Sequence, residues 1–105
     1  MTNRLDVARK KMARWRLLRI LYTGRPLPVG EGLIAEVLND QDLALTAGEI
    51  TNMINYLENK GYIESTTVTP AGEGSHMEAK LTAHGTDYVE YSVADDAGIS
   101  RPAQD

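Results

Sequence analysis

The amino-acid sequence predicts an α+β fold in which a core of three helices is followed by a β-hairpin and a short C-terminal helix. Apolar residues recur with helical spacing through the first half of the chain, and the stretch from Tyr62 to Thr69 alternates as a strand does. At 105 residues and 42% hydrophobic content, the chain has the size of one domain with a single modest core. We expect residues 1–92 to form this domain and residues 93–105, where the periodicity ends, to form a disordered tail.

The first predicted helix runs from about Leu5 to Tyr22 and ends where Thr23, Gly24 and Pro26 interrupt the pattern. One broad face is apolar and contains Met12, Trp15, Leu18, Leu21 and Tyr22.

The second helix is predicted from the Gly30–Gly32 region to Asn39. Its inward-facing residues are expected to be Leu33, Ile34, Val37 and Leu38.

The third helix has the clearest start and end signals. Thr46 and Glu49 have the spacing of a capping box, in which each side chain pairs with a backbone N–H of the first turn. Leu45 and Ile50 have the spacing of a hydrophobic staple, and Gly61 is placed to end the helix in the left-handed conformation. The predicted buried stripe contains Ile50, Met53, Ile54 and Leu57.

A β-hairpin is predicted after the third helix. Its first strand runs from Tyr62 to Thr69, with Ile63, Ser65 and Thr67 on one face, and residues 70–75 form the turn. Residues 78–82 return as the second strand, and residues 84–91 form the short last helix. This order completes the α+β prediction.

Basic side chains are concentrated near the N-terminus, although the net charge of the whole chain is −4. Residues 1–25 contain eight lysines and arginines and one acidic residue, whereas the rest of the chain contains three basic and fourteen acidic side chains. Two interpretations remain open. The basic helix, with Arg9, Arg16 and Arg19 on its polar side, either contacts a polyanion or lies against the acidic body of its own domain.

Cysteine is absent, which excludes disulfides, thiolate metal sites and cysteine nucleophiles. No apolar run has the length of a membrane span, and the N-terminus lacks the apolar core of a signal peptide. We therefore expect a cytoplasmic protein without a membrane partner.

The order and spacing of the segments resemble the winged helix-turn-helix family across roughly residues 13–91. The matching segments are R-L-L-R-I-L-Y in the first helix, L-T-A-G-E-I-T-N-M-I-N-Y-L-E-N-K-G-Y-I across the third, and K-L-T-A-H-G at residues 80–85. The last segment is similar to the L-T-x-x-G that ends the hairpin, or wing, in bacterial regulators of the MarR and PadR type. A weaker resemblance is to small winged-helix proteins of Mu-like prophages.

The resemblance implies a small transcriptional regulator that binds DNA as a homodimer and reads the major groove with the third helix. Asparagine can pair bidentately with adenine, and threonine and tyrosine can reach phosphates or base edges. Small residues at Ala47 and Gly48 would let the start of the helix approach a phosphate. The candidate DNA contacts are Thr51, Asn52, Asn55, Tyr56, Asn59, Lys60 and Lys80, with Arg9, Arg16 and Arg19 of the basic helix as additional phosphate contacts.

The charge near the third helix supports an alternative function. Glu49 and Glu58 lie on the helix itself, Glu73 and Glu78 lie in the hairpin, and a DNA-binding surface is normally basic. The asparagines are then a solvated polar face. In this alternative the protein is an adaptor that binds a protein partner through its acidic face or its basic helix.

An enzymatic function is not predicted. His76 and His84 lack the helical spacing of metal ligands, and the glycines at 72 and 74 have no strand-to-helix context for binding phosphate. The sequence thus predicts a non-enzyme without a cofactor or a metal.

Overall fold

The computed structural model describes residues 3–72 and 74–104 as four helices and a three-stranded antiparallel sheet. The helices are α1 (Arg4–Gly24), α2 (Glu31–Asp40), α3 (Ala47–Asn59) and α4 (Ala83–Val89). The strands are β1 (Val29–Gly30), β2 (Ile63–Val68) and β3 (His76–Leu81), and their order in the sheet is β1-β3-β2. The predicted α+β order of three helices, a hairpin and a short helix is confirmed. Among the described residues, no helix is long and apolar enough to cross a membrane.

Helix α1 is the central element of the core. The Asn3 side chain caps its start by accepting a hydrogen bond from the Leu5 amide at 2.8 Å. The helix buries Ala13, Trp15, Leu17, Leu18 and Leu21. Met12 does not belong to this face as predicted, because its side chain is 44% exposed. It is four residues before Arg16, and it shares the solvent side of the helix with that arginine.

Helix α2 buries fewer residues than its sequence predicts. Ile34 and Leu38 are fully buried, as expected, and Val37 is half-buried. Leu33 was predicted to face inward, but its side chain is 60% exposed. The helix buries a single narrow stripe with a spacing of four residues, and Leu33 lies outside that stripe.

Helix α3 has the predicted caps. The Thr46 hydroxyl accepts from the Glu49 amide at 3.1 Å, and the Glu49 carboxylate accepts from the Thr46 amide at 2.9 Å. Gly61 has the expected left-handed backbone, with φ of 85°. The predicted stripe is buried and comprises Ile50, Met53, Ile54 and Leu57. The apolar face of α3 therefore packs into the common core.

The sheet includes a strand that the sequence pattern did not predict. Strands β2 and β3 form the expected hairpin, with Ile63 opposite Leu81 and Val68 opposite His76. Strand β1 adds to the other edge of β3, where Val29 is opposite Ala79. Two residues are too short to give an alternating pattern, so β1 is recognisable only through its partner strand.

Residues 93–104 contain no helix or strand, but they contact the body of the domain instead of forming the disordered tail that we expected. Ile99 is buried in the core, and the Ser100 amide donates to the Lys11 carbonyl at 3.2 Å. The Arg101 guanidinium donates to the carbonyls of Tyr88 and Val93, each at 3.0 Å. These contacts hold residues 93–104 against the domain, although their sequence has no periodic pattern of apolar residues. Asp105, the last residue of the expected tail, lies outside the described residues.

Candidate nucleic-acid interface

The outward face of α3 is a stripe of three asparagines. Asn52, Asn55 and Asn59 are all exposed, and they lie opposite the buried stripe of the same helix. Ala47 and Gly48 at the start of the helix are also exposed. Thr51 lies at the edge of this face, half-buried, and its hydroxyl donates to the Ala47 carbonyl at 3.1 Å. The asparagine side chains are therefore free to make contacts with a ligand.

Tyr56 lies at the edge of the asparagine stripe and, with Asn52, lines the hollow between α1 and α3. It is half-buried, and the Arg14 guanidinium lies 3.8 Å from the centre of its ring. A Cβ at Gly98 would collide with the Tyr56 hydroxyl, so the C-terminal segment packs closely against this side chain. The sequence predicts that Tyr56 contacts DNA together with the asparagines, but its ring packs against Arg14 of α1 and its hydroxyl against the C-terminal segment.

Lys60 also contacts the C-terminal segment, through an ion pair with Asp96. Its ammonium group lies 3.1 Å from both carboxylate oxygens of Asp96, and this hydrogen bond raises the pKa of Lys60 above its ordinary value. Burial alone would raise the pKa of Asp96, but hydrogen bonds from the Gly98 amide, Lys60 and Tyr62 outweigh it and lower that pKa. Burial and the hydrogen bond to Asp96 raise the pKa of Tyr62 to about 12. The one cation at the end of α3 is thus paired with a carboxylate.

Two cations of α1 lie beside α3, and they are not the ones that the sequence suggested. Lys10 and Arg14 line a hollow of about 250 Å³ between α1 and α3, together with Glu49, Asn52 and Tyr56. Lys10 is 3.2 Å from the exposed Asp6 carboxylate, and Arg14 donates to the Gly98 carbonyl at 2.8 Å. Their spacing of four residues places them on one side of α1, but nothing in the sequence indicates that α3 lies against that side.

The arginines that the sequence analysis selected lie elsewhere on α1. Arg16 and Arg19 line a groove between α1 and α2, and Arg9 is exposed on the same outer side of the helix. These three residues therefore do not border the asparagine stripe.

The hairpin provides little free positive charge. Lys80 is 3.6 Å from the Glu64 carboxylate, and the His76 imidazole is 3.5 Å from that of Glu78. Glu58 of α3 accepts hydrogen bonds from the Ser65 amide at 3.0 Å and its hydroxyl at 2.8 Å, which fixes the hairpin against the helix. Glu73, which we expected to add negative charge to the wing, lies outside the described residues.

The two histidines have different contacts. His84 stacks on the Tyr62 ring at 4.8 Å between ring centres, whereas His76 faces Glu78 in the hairpin. Across residues 3–72 and 74–104, no group of three or more histidine or acidic side chains is arranged to hold a metal ion.

The three-helix core, the antiparallel sheet and the β2–β3 hairpin define a winged helix-turn-helix fold, and solved structures share it. A PadR-like transcription factor from Bacteroides fragilis is similar with a TM-score of 0.65 and 20% identity, over 81% of this chain and 82% of that one. A protein from Thermoplasma acidophilum described as a transcriptional regulator gives 0.62 and 15%, over 84% and 78% of the two chains. PadR of Bacillus subtilis, solved in complex with operator DNA, gives 0.62 and 16% over 88% of this chain.

These similarities confirm the predicted winged-helix fold and its likeness to regulators of the PadR type. The matched region spans 52% of the Bacillus subtilis PadR chain. None of the three structures is described as a phage protein, so the weaker resemblance to Mu-like prophage proteins gains no support from them. No protein-family model matches the sequence, and the comparison with curated proteins gives no match.

Proposed function

We propose that the protein is a small DNA-binding transcriptional regulator that inserts α3 into the major groove. The observation that carries this proposal is the exposed stripe of Asn52, Asn55 and Asn59 on the outward face of that helix. The fold supports it, because a structure with the same architecture has been solved with operator DNA. In this proposal α3 is the recognition helix and the β2–β3 hairpin is the wing.

The asparagine stripe suits the reading of bases. An asparagine amide offers one donor and one acceptor, which match N7 and N6 of adenine in the major groove. Asn52, Asn55 and Asn59 project from successive turns of α3, so they would meet successive base pairs. We expect a preferred site that contains adenines at the contacted positions.

Phosphate contacts are assigned to Lys10 and Arg14. They border α3 on the side of Asn52, and the carboxylate that pairs with Lys10 belongs to its own helix, whereas Lys60 and Lys80 are paired with Asp96 and Glu64. With so few available cations, the affinity for DNA should fall with salt less steeply than that of a strongly basic DNA-binding protein. We expect a slope that corresponds to about two or three phosphates per monomer.

We also propose that the protein acts as a homodimer without catalytic activity, in the cytoplasm with its DNA. A two-fold symmetric pair would bind two half-sites, and this would compensate for the few phosphate contacts of each copy. Light scattering of the protein alone and with a selected duplex tests this stoichiometry. A single copy on a site without two-fold symmetry would contradict it.

The test of base reading begins with selection of a preferred duplex from a random library. Asn52→Ala and Asn55→Ala should each weaken binding to that duplex by about 1–3 kcal/mol, measured by fluorescence anisotropy, and should leave random duplex nearly unaffected. Gln41→Ala is the matched control, because it removes an exposed amide from the α1–α2 side. An absence of salt-sensitive DNA binding in the wild-type protein would refute the proposal.

The test of phosphate contacts compares cations of α1. Lys10→Ala and Arg14→Ala should weaken selected and random duplex alike and flatten the salt slope, since phosphates carry no base information. Arg19→Ala removes the same charge from the same helix and should have a smaller effect, because Arg19 lines the α1–α2 groove. If Arg19→Ala were the most harmful change, the sequence-based choice of Arg9, Arg16 and Arg19 would be correct.

A further inference from the structure

A second surface of the molecule combines exposed apolar side chains with arginines. The groove between α1 and α2 has a volume of about 460 Å³, and we call it the α1–α2 groove. Leu33 and Val37 of α2 and Ile20 of α1 contribute apolar surface to it, and Arg16 and Arg19 contribute charge. Leu33 is 60% exposed, and with Ile20 and Val37 it forms a contiguous apolar surface instead of a single exposed side chain.

The outer side of α1 extends this surface towards the N-terminus. Leu5, Arg9, Met12, Arg16 and Arg19 recur at intervals of three and four residues, so they form one stripe along the helix, here called the outer stripe. Leu5 is 76% exposed and Met12 is 44% exposed. From Leu5 to Arg19 the stripe is about 21 Å long at the rise of an α-helix.

The arginines of this surface have no counter-charge within the described part of the chain. No carboxylate of residues 3–72 or 74–104 lies within ion-pair distance of Arg9, Arg16 or Arg19. Lys10, on another side of α1, does have such a partner in Asp6. The rest of the chain is strongly acidic, yet it does not neutralise this stripe. The interpretation in which the basic helix lies against the acidic body therefore does not describe these three arginines.

We propose that the α1–α2 groove and the outer stripe bind an amphipathic helix of another protein, with large apolar side chains on one face and acidic side chains along its edges. The apolar residues would cover Leu33 and Met12, and the acidic residues would pair with Arg16 and Arg19. Amphipathic helices commonly bind in apolar grooves through residues with this spacing. The length of the stripe matches a helix of about 15 residues.

Charge distinguishes this partner from two other occupants. A symmetric pair of copies joined through this face would place arginines of one outer stripe against those of the other, which is unfavourable. A nucleic-acid backbone would satisfy the arginines but would leave Leu33 and Met12 uncovered. An acidic amphipathic helix would both pair with the arginines and cover the exposed apolar side chains.

A designed peptide tests the proposal with the full chain. The probe is a fluorescent helix of about 18 residues with a leucine stripe flanked by glutamates, and its binding is followed by anisotropy. Leu33→Ser and Arg16→Glu should each weaken binding by about tenfold. Leu27→Ser is the apolar control, because Leu27 is 70% exposed outside the groove, and Arg4→Glu is the charge control on the same helix. Both controls should remain within about twofold of wild type.

Changes in the peptide separate specific from non-specific attraction. Replacing its glutamates by lysines should abolish binding to wild type and partly restore binding to Arg16→Glu, since the signs are then reversed at that contact. Thermal melts must show that each variant is folded. Failure of the wild type to bind the acidic peptide, equal losses in Arg4→Glu and Arg16→Glu, or full binding by a peptide with serines for leucines would each overturn the proposal.

Two further measurements distinguish the other occupants. A dimer that Leu33→Ser converts to a monomer would show that a second copy covers the groove and would overturn the proposal. Loss of duplex DNA binding in Leu33→Ser would show that this surface binds DNA, and it would also overturn the proposal. Retention of DNA binding in Leu33→Ser, with loss of the peptide, supports the proposal independently of the Asn52 and Asn55 experiments.

Discussion

Replacement of Gly85 by alanine should destabilise the protein, although alanine is normally the better residue in a helix. Gly85 is a buried residue of α4 and ends the K-L-T-A-H-G segment. A Cβ there would collide with the Tyr62 carbonyl oxygen, would lie 2.9 Å from the carbonyl carbon of the same residue and would lie 3.1 Å from a methyl group of Leu81. Because the main obstacle is backbone, no change of rotamer can remove the collision.

The cost follows from what must move. To admit a methyl group, α4 must shift away from Tyr62, and this shift would weaken the 3.0 Å hydrogen bond from the Thr82 amide to the Tyr62 carbonyl. Overpacking in a tight core costs about 1–3 kcal/mol and occasionally more. The gain in helix propensity from glycine to alanine is at most about 1 kcal/mol. Because the obstacle is backbone, the cost of overpacking should lie at the upper end of its range, so we expect a net loss of about 2 kcal/mol in the free energy of unfolding.

Gly32→Ala is the matched control. Gly32 lies in the first turn of α2, and a Cβ there would have no neighbour within 4 Å. The same substitution should stabilise the protein by about 0.5–1 kcal/mol, since it only restricts the unfolded chain.

Urea unfolding followed by far-UV circular dichroism and by the fluorescence of Trp15 measures both variants. If the midpoint of Gly85→Ala equals or exceeds that of wild type, the close packing of α4 against Tyr62 is not present in solution. If both variants lose stability equally, the loss comes from something other than the collision.

Three further predictions concern stability. Thr46→Ala should lower the free energy of unfolding by about 1 kcal/mol through loss of the cap, whereas Thr46→Ser should be nearly neutral, and equal melting temperatures for the two would contradict the capping box. Leu57→Ala should cost about 2–5 kcal/mol in urea unfolding, because Leu57 is fully buried in the core, and an unchanged midpoint would exclude that burial. Asp96→Asn should destabilise the protein near neutral pH. Since the pKa of Asp96 is lowered in the folded state, its stabilisation is complete above its unfolded pKa of about 3.9 and is lost as pH falls through the folded value, so wild type and variant should converge in acid. A difference that stayed constant down to acidic pH would contradict this role.

The sequence determined the elements whose signals are local. The capping box, the buried stripe and Gly61 of α3 depend on residues within a few positions of one another, and all three are present as predicted. The pairing of the hairpin strands is equally local, and burial alternates along β2 from Ile63 to Thr66. Such signals can be read from one sequence because backbone hydrogen bonds and side-chain spacing in helices and hairpins connect near neighbours.

The tertiary structure alone decided which distant segment lies against each face of a helix or strand. Strand β1 depends on pairing with Ala79, and the order of the C-terminal segment depends on burying Ile99 and on hydrogen bonds to α1. The basic helix is divided in the same way, because α3 lies beside Lys10 and Arg14 while α2 forms a groove with Arg16 and Arg19. A helical wheel gives the angle of each residue around α1, but it does not say which neighbour occupies that angle. Contacts between segments distant in sequence decide this, and they leave no periodic signal in the chain.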